Sequence, residues 1–179
     1  MSRAPLRLAV LALAAPLLLA AQPAEAGCSD PPMPGVDWRR CLMHGSYYRE
    51  VDLSGADLRD AGFQRADISG SVLAGANATR MKLVSATAER VNFEGATLVM
   101  ADLTSANLQG SSFRGASLRR ARLFGANLQN ADFTAAVLDG ADFLHADLSG
   151  ATWTDGRTVC GPGSIGVCRP APRTPTAEG

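Results

Sequence analysis

Large apolar residues recur along this chain at every fifth position. In ADFTAAVLDGADFLHADLSGATW (131–153) they are Phe133, Leu138, Phe143, Leu148 and Trp153, and an alanine stands two places before each. An α-helix advances about 100° per residue, so steps of five wind around it and hold no single face. In a straight strand, five is odd, and successive large residues would switch faces. The pattern therefore predicts a chain that turns once per repeat. Counting back by fives from Trp153 gives twenty-four such centres as far as Trp38, seventeen of them Leu or Phe. The residue two before the centre is Ala sixteen times, and no insertion breaks the register. A chance apolar pattern would slip within a few steps.

The repeats ADLSG, ANLQG, ADLTS and ADFLH carry the motif A-(D/N)-L-x-x, and on these residues the chain resembles the pentapeptide-repeat family. The resemblance covers nearly all of Val36 to Asp155 and implies an all-β fold, a right-handed quadrilateral β-helix with four repeats per coil. Strand geometry agrees. Residues two apart point the same way, so the alanine and the centre face inward and the Asp or Asn between them faces out. The last two residues of each repeat form a corner. Twenty-four repeats then make about six coils, a prism roughly 29 Å tall at about 4.8 Å per coil. The third coil has Ala78 and Ala88 as centres but Met81 and Val91 where alanine is usual, which reads as volume compensation. Gly55, Gly75, Gly95 and Gly115 form a column at one corner, read as a turn without room for a large side chain.

The ends differ in kind. Arg3 and Arg7, the apolar run Leu8–Ala21 and the small-x-small Ala24-Glu25-Ala26 predict a signal peptide over 1–26. The run is short for a membrane span and contains Pro16, so no stable membrane insertion is expected. A rival reading makes Cys28 a lipid-bearing residue, with Glu25 poorly suited to such a site. The remaining expected segments are an N-terminal cap (27–35), the β-helix (36–155), a C-terminal cap (156–168) and a disordered Pro-rich tail (169–179). All four cysteines, Cys28, Cys41, Cys160 and Cys168, lie at the ends, and an exported chain with an even count predicts disulfides. Four cysteines allow three pairings; with the two pairs at opposite ends of the prism, only Cys28–Cys41 and Cys160–Cys168 come within the reach of about 7 Å that a disulfide needs, unless a terminal segment runs back along the prism. Each would close a cap over an otherwise exposed coil end.

Beyond residue 26 the chain has fifteen Lys plus Arg and sixteen Asp plus Glu, so no global attraction to nucleic acid is expected. Twelve outward positions just before a centre hold Asp or Asn. A catalytic pair would need two carboxylates converging on a cleft, which a convex prism lacks, so these residues are expected to hydrogen-bond nearby turn backbone. His44 and His145 lie about five coils apart and cannot share a metal. No hydrolase, metalloprotease or P-loop motif is present, and no catalytic, cofactor or metal site is predicted.

Two surface features stand out. Arg39, Arg40, Arg59, Arg80, Arg119 and Arg120 stack along one edge, with Lys82 and Arg122 beside them and Asp60, Asp102 and Asp139 interspersed. Val84, Phe124 and Leu144 occupy outward positions of one column, the last two in adjacent coils. The candidate partner surface is Val84, Phe124 and Leu144 with Arg80, Arg119, Arg120 and Arg122. The predicted function is that of a rigid, non-enzymatic, exported and monomeric scaffold or protein-interaction module, periplasmic or secreted. The resemblance also implies a DNA-mimicking, topoisomerase-binding role of the quinolone-resistance type. The predicted export, the near-zero charge and a disulfide-bonded C-terminal end stand against it. A secreted enzyme with an unrecognised site is the third reading, opposed by the convex shape.

Overall fold

A computed structural model describes residues 27–172; the expected signal peptide and the end of the tail, from residue 173, lie outside the described residues. Between 36 and 155 the backbone repeats one conformation twenty-four times: a bridge residue before each centre and a two-residue turn after it. Twenty parallel bridges join positions twenty residues apart, from Asp37↔Asp57 to Asp132↔Thr152. That spacing closes four walls into a coil. The first wall holds 36–40 and its equivalents every twenty residues, and the second, third and fourth begin at 41, 46 and 51. Six coils follow, 36–55 to 136–155, in the register read from the sequence.

The hydrogen bonds explain why the period holds. The centre's N–H donates up one coil, as from Leu58 to Asn77 O (2.8 Å), while the residue before it donates down, as from Asp57 to Val36 O (2.9 Å). At most corners the next repeat's first N–H returns to the preceding centre, as from Ala96 to Phe93 O (3.0 Å). Each repeat is thus closed locally and tied to both neighbouring coils. The core is one filled column: every centre from Leu53 to Phe133 is buried, including Ala78 and Ala88 beside Met81 and Val91. Phe93, Phe113 and Phe133 stack with centroids 5.1 Å apart and planes within 6°.

The corners correct one expectation. The glycine column has ample room, because a Cβ on Gly55, Gly75, Gly95 or Gly115 would meet nothing within 4 Å. The constraint is dihedral: φ there is 62–65°. Non-glycine corners such as Arg40 (φ 58°), Met100 (57°) and Ala135 (59°) accept the same left-handed conformation, at about 1–2 kcal/mol each.

Both expected disulfides are formed, Cys28–Cys41 with Cα atoms 5.3 Å apart and Cys160–Cys168 with 4.9 Å. The first engages the sulfur that the lipid-bearing reading of Cys28 requires. The N-terminal segment is also tied by Gly35 N–H to Ser54 O (2.8 Å), and Trp38 is fully buried against Tyr48 and Phe63. The C-terminal cap covers only half of its end. It pairs antiparallel with the third wall at Asp147↔Ile165 and the fourth at Thr152↔Val159. Paired backbone continues beyond Cys168 through Cys160↔Pro170 and the Ala171 N–H to Val159 O bond. On the first and second walls of the last coil, the N–H groups of Leu138, Gly140, Phe143 and His145 have no backbone partner among the described residues. Leu138 and Phe143 are accordingly only half-buried, as is Trp153 on the fourth wall, whose ring lies beside Phe143.

Candidate functional site

The outward carboxylates and amides are engaged at the corners. All twelve Asp and Asn residues before a centre accept the N–H two residues on, from Asp132 Oδ1···N Thr134 (2.8 Å) to Asn107 Oδ1···N Gln109 (3.4 Å). This side-chain turn satisfies a corner donor that the coil-to-coil ladder leaves free. Asp155 makes the same contact where the last repeat enters the cap. The Thr158 hydroxyl, with the N–H groups of Thr158 and Arg157, holds its carboxyl down at about 2. Among the described residues, no group of three His, Cys, Asp or Glu could hold a metal ion, and no helix is long and apolar enough to cross a membrane.

The basic edge runs along the corner between the first and second walls. Its acidic residues are ion-pair partners from neighbouring coils: Asp60 binds Arg80 (2.6 Å), Asp139 binds Arg119 (3.4 Å) and Asp102 binds Arg122 (3.7 Å). Arg120 has no such partner among the described residues. At the N-terminal end, Arg39, Arg40, Arg59, Asp60 and Arg80 line a cavity of about 140 Å³. Exposed pairs of this kind add little to stability, so the edge is not explained by folding.

On the second wall Phe124 (40% exposed) and Leu144 (56%) stand on adjacent coils, and the His145 ring meets Phe124 edge-on at 5.2 Å and 87°. Val84, two coils below Phe124, is half-buried. The structure thus groups Phe124 with Leu144 and leaves Val84 apart from them. Sequence reasoning missed Met100, 46% exposed, which lies between Arg80 and Arg120 in the corner column. Its register position marks it as outward, so the signal was present. It also missed the cap's contribution: Gly166 lies against Leu144 and His145, flanked by exposed Ile165 and Val167. No repeat pattern could place that loop.

A family profile described as pentapeptide repeats matches in eight copies over segments spanning 39–152. No curated protein sequence matches the chain. Among solved structures, a pentapeptide repeat protein (Rfr23) from the cyanobacterium Cyanothece 51142 aligns with a TM-score of 0.59 at 22% identity, over 63% of this chain and 90% of that one. HetL, a pentapeptide repeat protein involved in heterocyst differentiation regulation from Nostoc sp. PCC 7120, gives 0.42 at 27% identity, over 68% and 70%. A pentapeptide repeat protein from the Arabidopsis thaliana thylakoid lumen gives 0.40 at 26%, over 61% and 69%. With the five-residue register, the six square coils and the profile match in agreement, the chain belongs to the pentapeptide-repeat family and folds as its right-handed quadrilateral β-helix.

Proposed function

We propose that the protein is an exported, non-enzymatic and rigid interaction module that engages a protein partner along the edge between its first and second walls. The observation that carries this reading is the pair Phe124 and Leu144, large apolar side chains in equivalent positions of adjacent coils, both left exposed on the second wall. Stacked exposed apolar residues beside charged ones suit a partner contact. Export is supported by the leader-like first 26 residues and by the two disulfides, which persist in oxidising compartments.

The test is Phe124→Ser combined with Leu144→Ser. Both side chains are exposed, so the melting temperature should stay within about 2 °C, while a partner cross-linked to the native protein in a periplasmic extract should be lost. An unchanged set of cross-linked partners would overturn the assignment of this surface.

A further inference from the structure

Three arginines around the N-terminal cavity share one geometry. Arg39 donates from Nε and Nη2 to Asp37, Arg59 from Nε and Nη2 to Asp57, and Arg80 from Nε and Nη2 to Asp60. In each, one edge of the guanidinium fork is engaged and Nη1 has no acceptor among the described residues. Arg40 has no carboxylate within ion-pair distance among the described residues, so all five of its donors are free. The four come from three successive coils and line the same cavity with Asp60. The cavity, about 140 Å³ and open to solvent on one side, admits a small anion directly from solution. Four guanidinium groups stand against three carboxylates, and every carboxylate is already turned onto an arginine.

We propose that Arg39, Arg40, Arg59 and Arg80 form a binding site for a phosphate or sulfate group. The carboxylates serve as positioning residues. Each fixes the plane of one guanidinium, so that binding orders few further side-chain torsions, and planar fork donors suit oxyanions. Arg40 supplies the net charge. The site continues into a ladder, because the same corner carries Arg80 two coils above Arg40 and Arg120 two coils above Arg80. At about 4.8 Å per coil these lie roughly 10 Å apart. The group can therefore arrive as a free anion, as a substituent on an extended polymer or as a lipid headgroup. The site is separate from Phe124 and Leu144 and stands whether or not those residues dock a partner.

The experiment titrates the purified, disulfide-bonded protein with inorganic phosphate and with sulfate, following the arginine Nε–H and corner amide resonances by NMR. Saturable shifts centred on Arg39, Arg40, Arg59 and Arg80 are expected. Arg40→Gln breaks no ion pair and should weaken binding at least tenfold with unchanged melting temperature. Arg65→Gln, an equal charge change at another corner, should weaken it less than twofold. Equal effects of the two variants, or shifts spread evenly over all exposed arginines, would reduce the cluster to ordinary screening and overturn the proposal. Heparin and phosphatidylglycerol vesicles separate the sources. Heparin binding far tighter than sulfate and sensitive to Arg120→Gln marks a polymer. Co-sedimentation with the vesicles but not with phosphatidylcholine ones marks a lipid. Binding of the free ions alone marks a small anion.

Discussion

Two corners of the fourth wall depart from the rule that each repeat closes its own turn. Val91 N–H does not reach Ala88 O. The Ser111 hydroxyl, one coil above, lies between them, donating to Ala88 O (2.8 Å) and accepting from Val91 N–H (3.1 Å). Ser71 does the same for Tyr48 O (2.7 Å) and Val51 N–H (3.2 Å). In both cases a valine stands in the inward position usually held by alanine, with a serine directly above it. We expect the valine's bulk to hold the turn open and the serine to satisfy the groups so exposed. Ser111 and Val91 are fully buried. Ser111→Ala alone would strand a buried donor and a buried acceptor, at a cost of about 2 kcal/mol. Val91→Ala alone removes two methyl groups, worth about 2 kcal/mol with incomplete collapse of the space. The double variant restores the alanine pair of the ordinary corners, where bonds such as Ala96 N–H to Phe93 O form at 3.0 Å. It should therefore lose only the methyl contribution, about 2 kcal/mol in place of the additive 4. Urea unfolding followed by circular dichroism reads all three, as midpoint shifts at constant slope. Additivity within about 0.5 kcal/mol would refute the coupling between valine and open turn.

Two further outcomes test the corners and the carboxylates. Gly115→Ala, which has free space but φ of 62°, should lower stability by about 1 kcal/mol, and Ala135→Gly at 59° should raise it by about 0.5–1 kcal/mol; no change in either would return the corner requirement to size. Arg39, Arg59 and Arg80 hold the carboxyls of Asp37, Asp57 and Asp60 below the usual value of 3.8, and Asp155 sits at about 2. The unfolded chain therefore takes up protons first as the pH drops, so stability should be flat from about pH 7 to 5 and fall between about 4 and 2. Asp155→Asn should soften that fall in a pH series of melting temperatures, and a decline beginning near pH 6 would contradict the assignment.

The prism was legible because its information is local and repeated. A centre such as Leu103 and its alanine at Ala101 state which way each strand faces, and the unbroken count fixes every coil-to-coil pairing. The Asx turns were legible for the same reason, since Asp132 and Thr134 meet within one repeat. The disulfides followed from geometry once the prism was known. What stayed hidden depends on contacts the repeat does not encode. The C-terminal cap is a single non-repeating loop, and its choice of the third and fourth walls cannot be read from its glycines. Arg80 reaches down to Asp60 while Arg59 folds back on Asp57, a choice made by the direction of each corner side chain. Ser111 in an alanine position reads as a small residue replacing a small one; only the coil below reveals the bond it completes.

The same division bears on the proposed interaction surface. In each repeat the centre and the residue two before it face the core, and in twelve of the twenty-four an Asp or Asn between them closes the turn. The two corner residues answer to neither demand, beyond the left-handed φ of the second. Nearly everything specific to this chain is written there. The first and second walls carry nine Lys and Arg against six Asp and Glu, and the third and fourth carry three against eight. The scaffold treats its four walls alike, so it cannot be the source of this asymmetry. Leu42, Phe124, Leu144 and Met100 fall on the basic half, against Tyr47 on the other, although an exposed apolar side chain would be as compatible with the fold on any wall. An edge that gathers arginines with unengaged donors and exposed apolar side chains, on positions the fold leaves free, has the composition expected of a recognition surface.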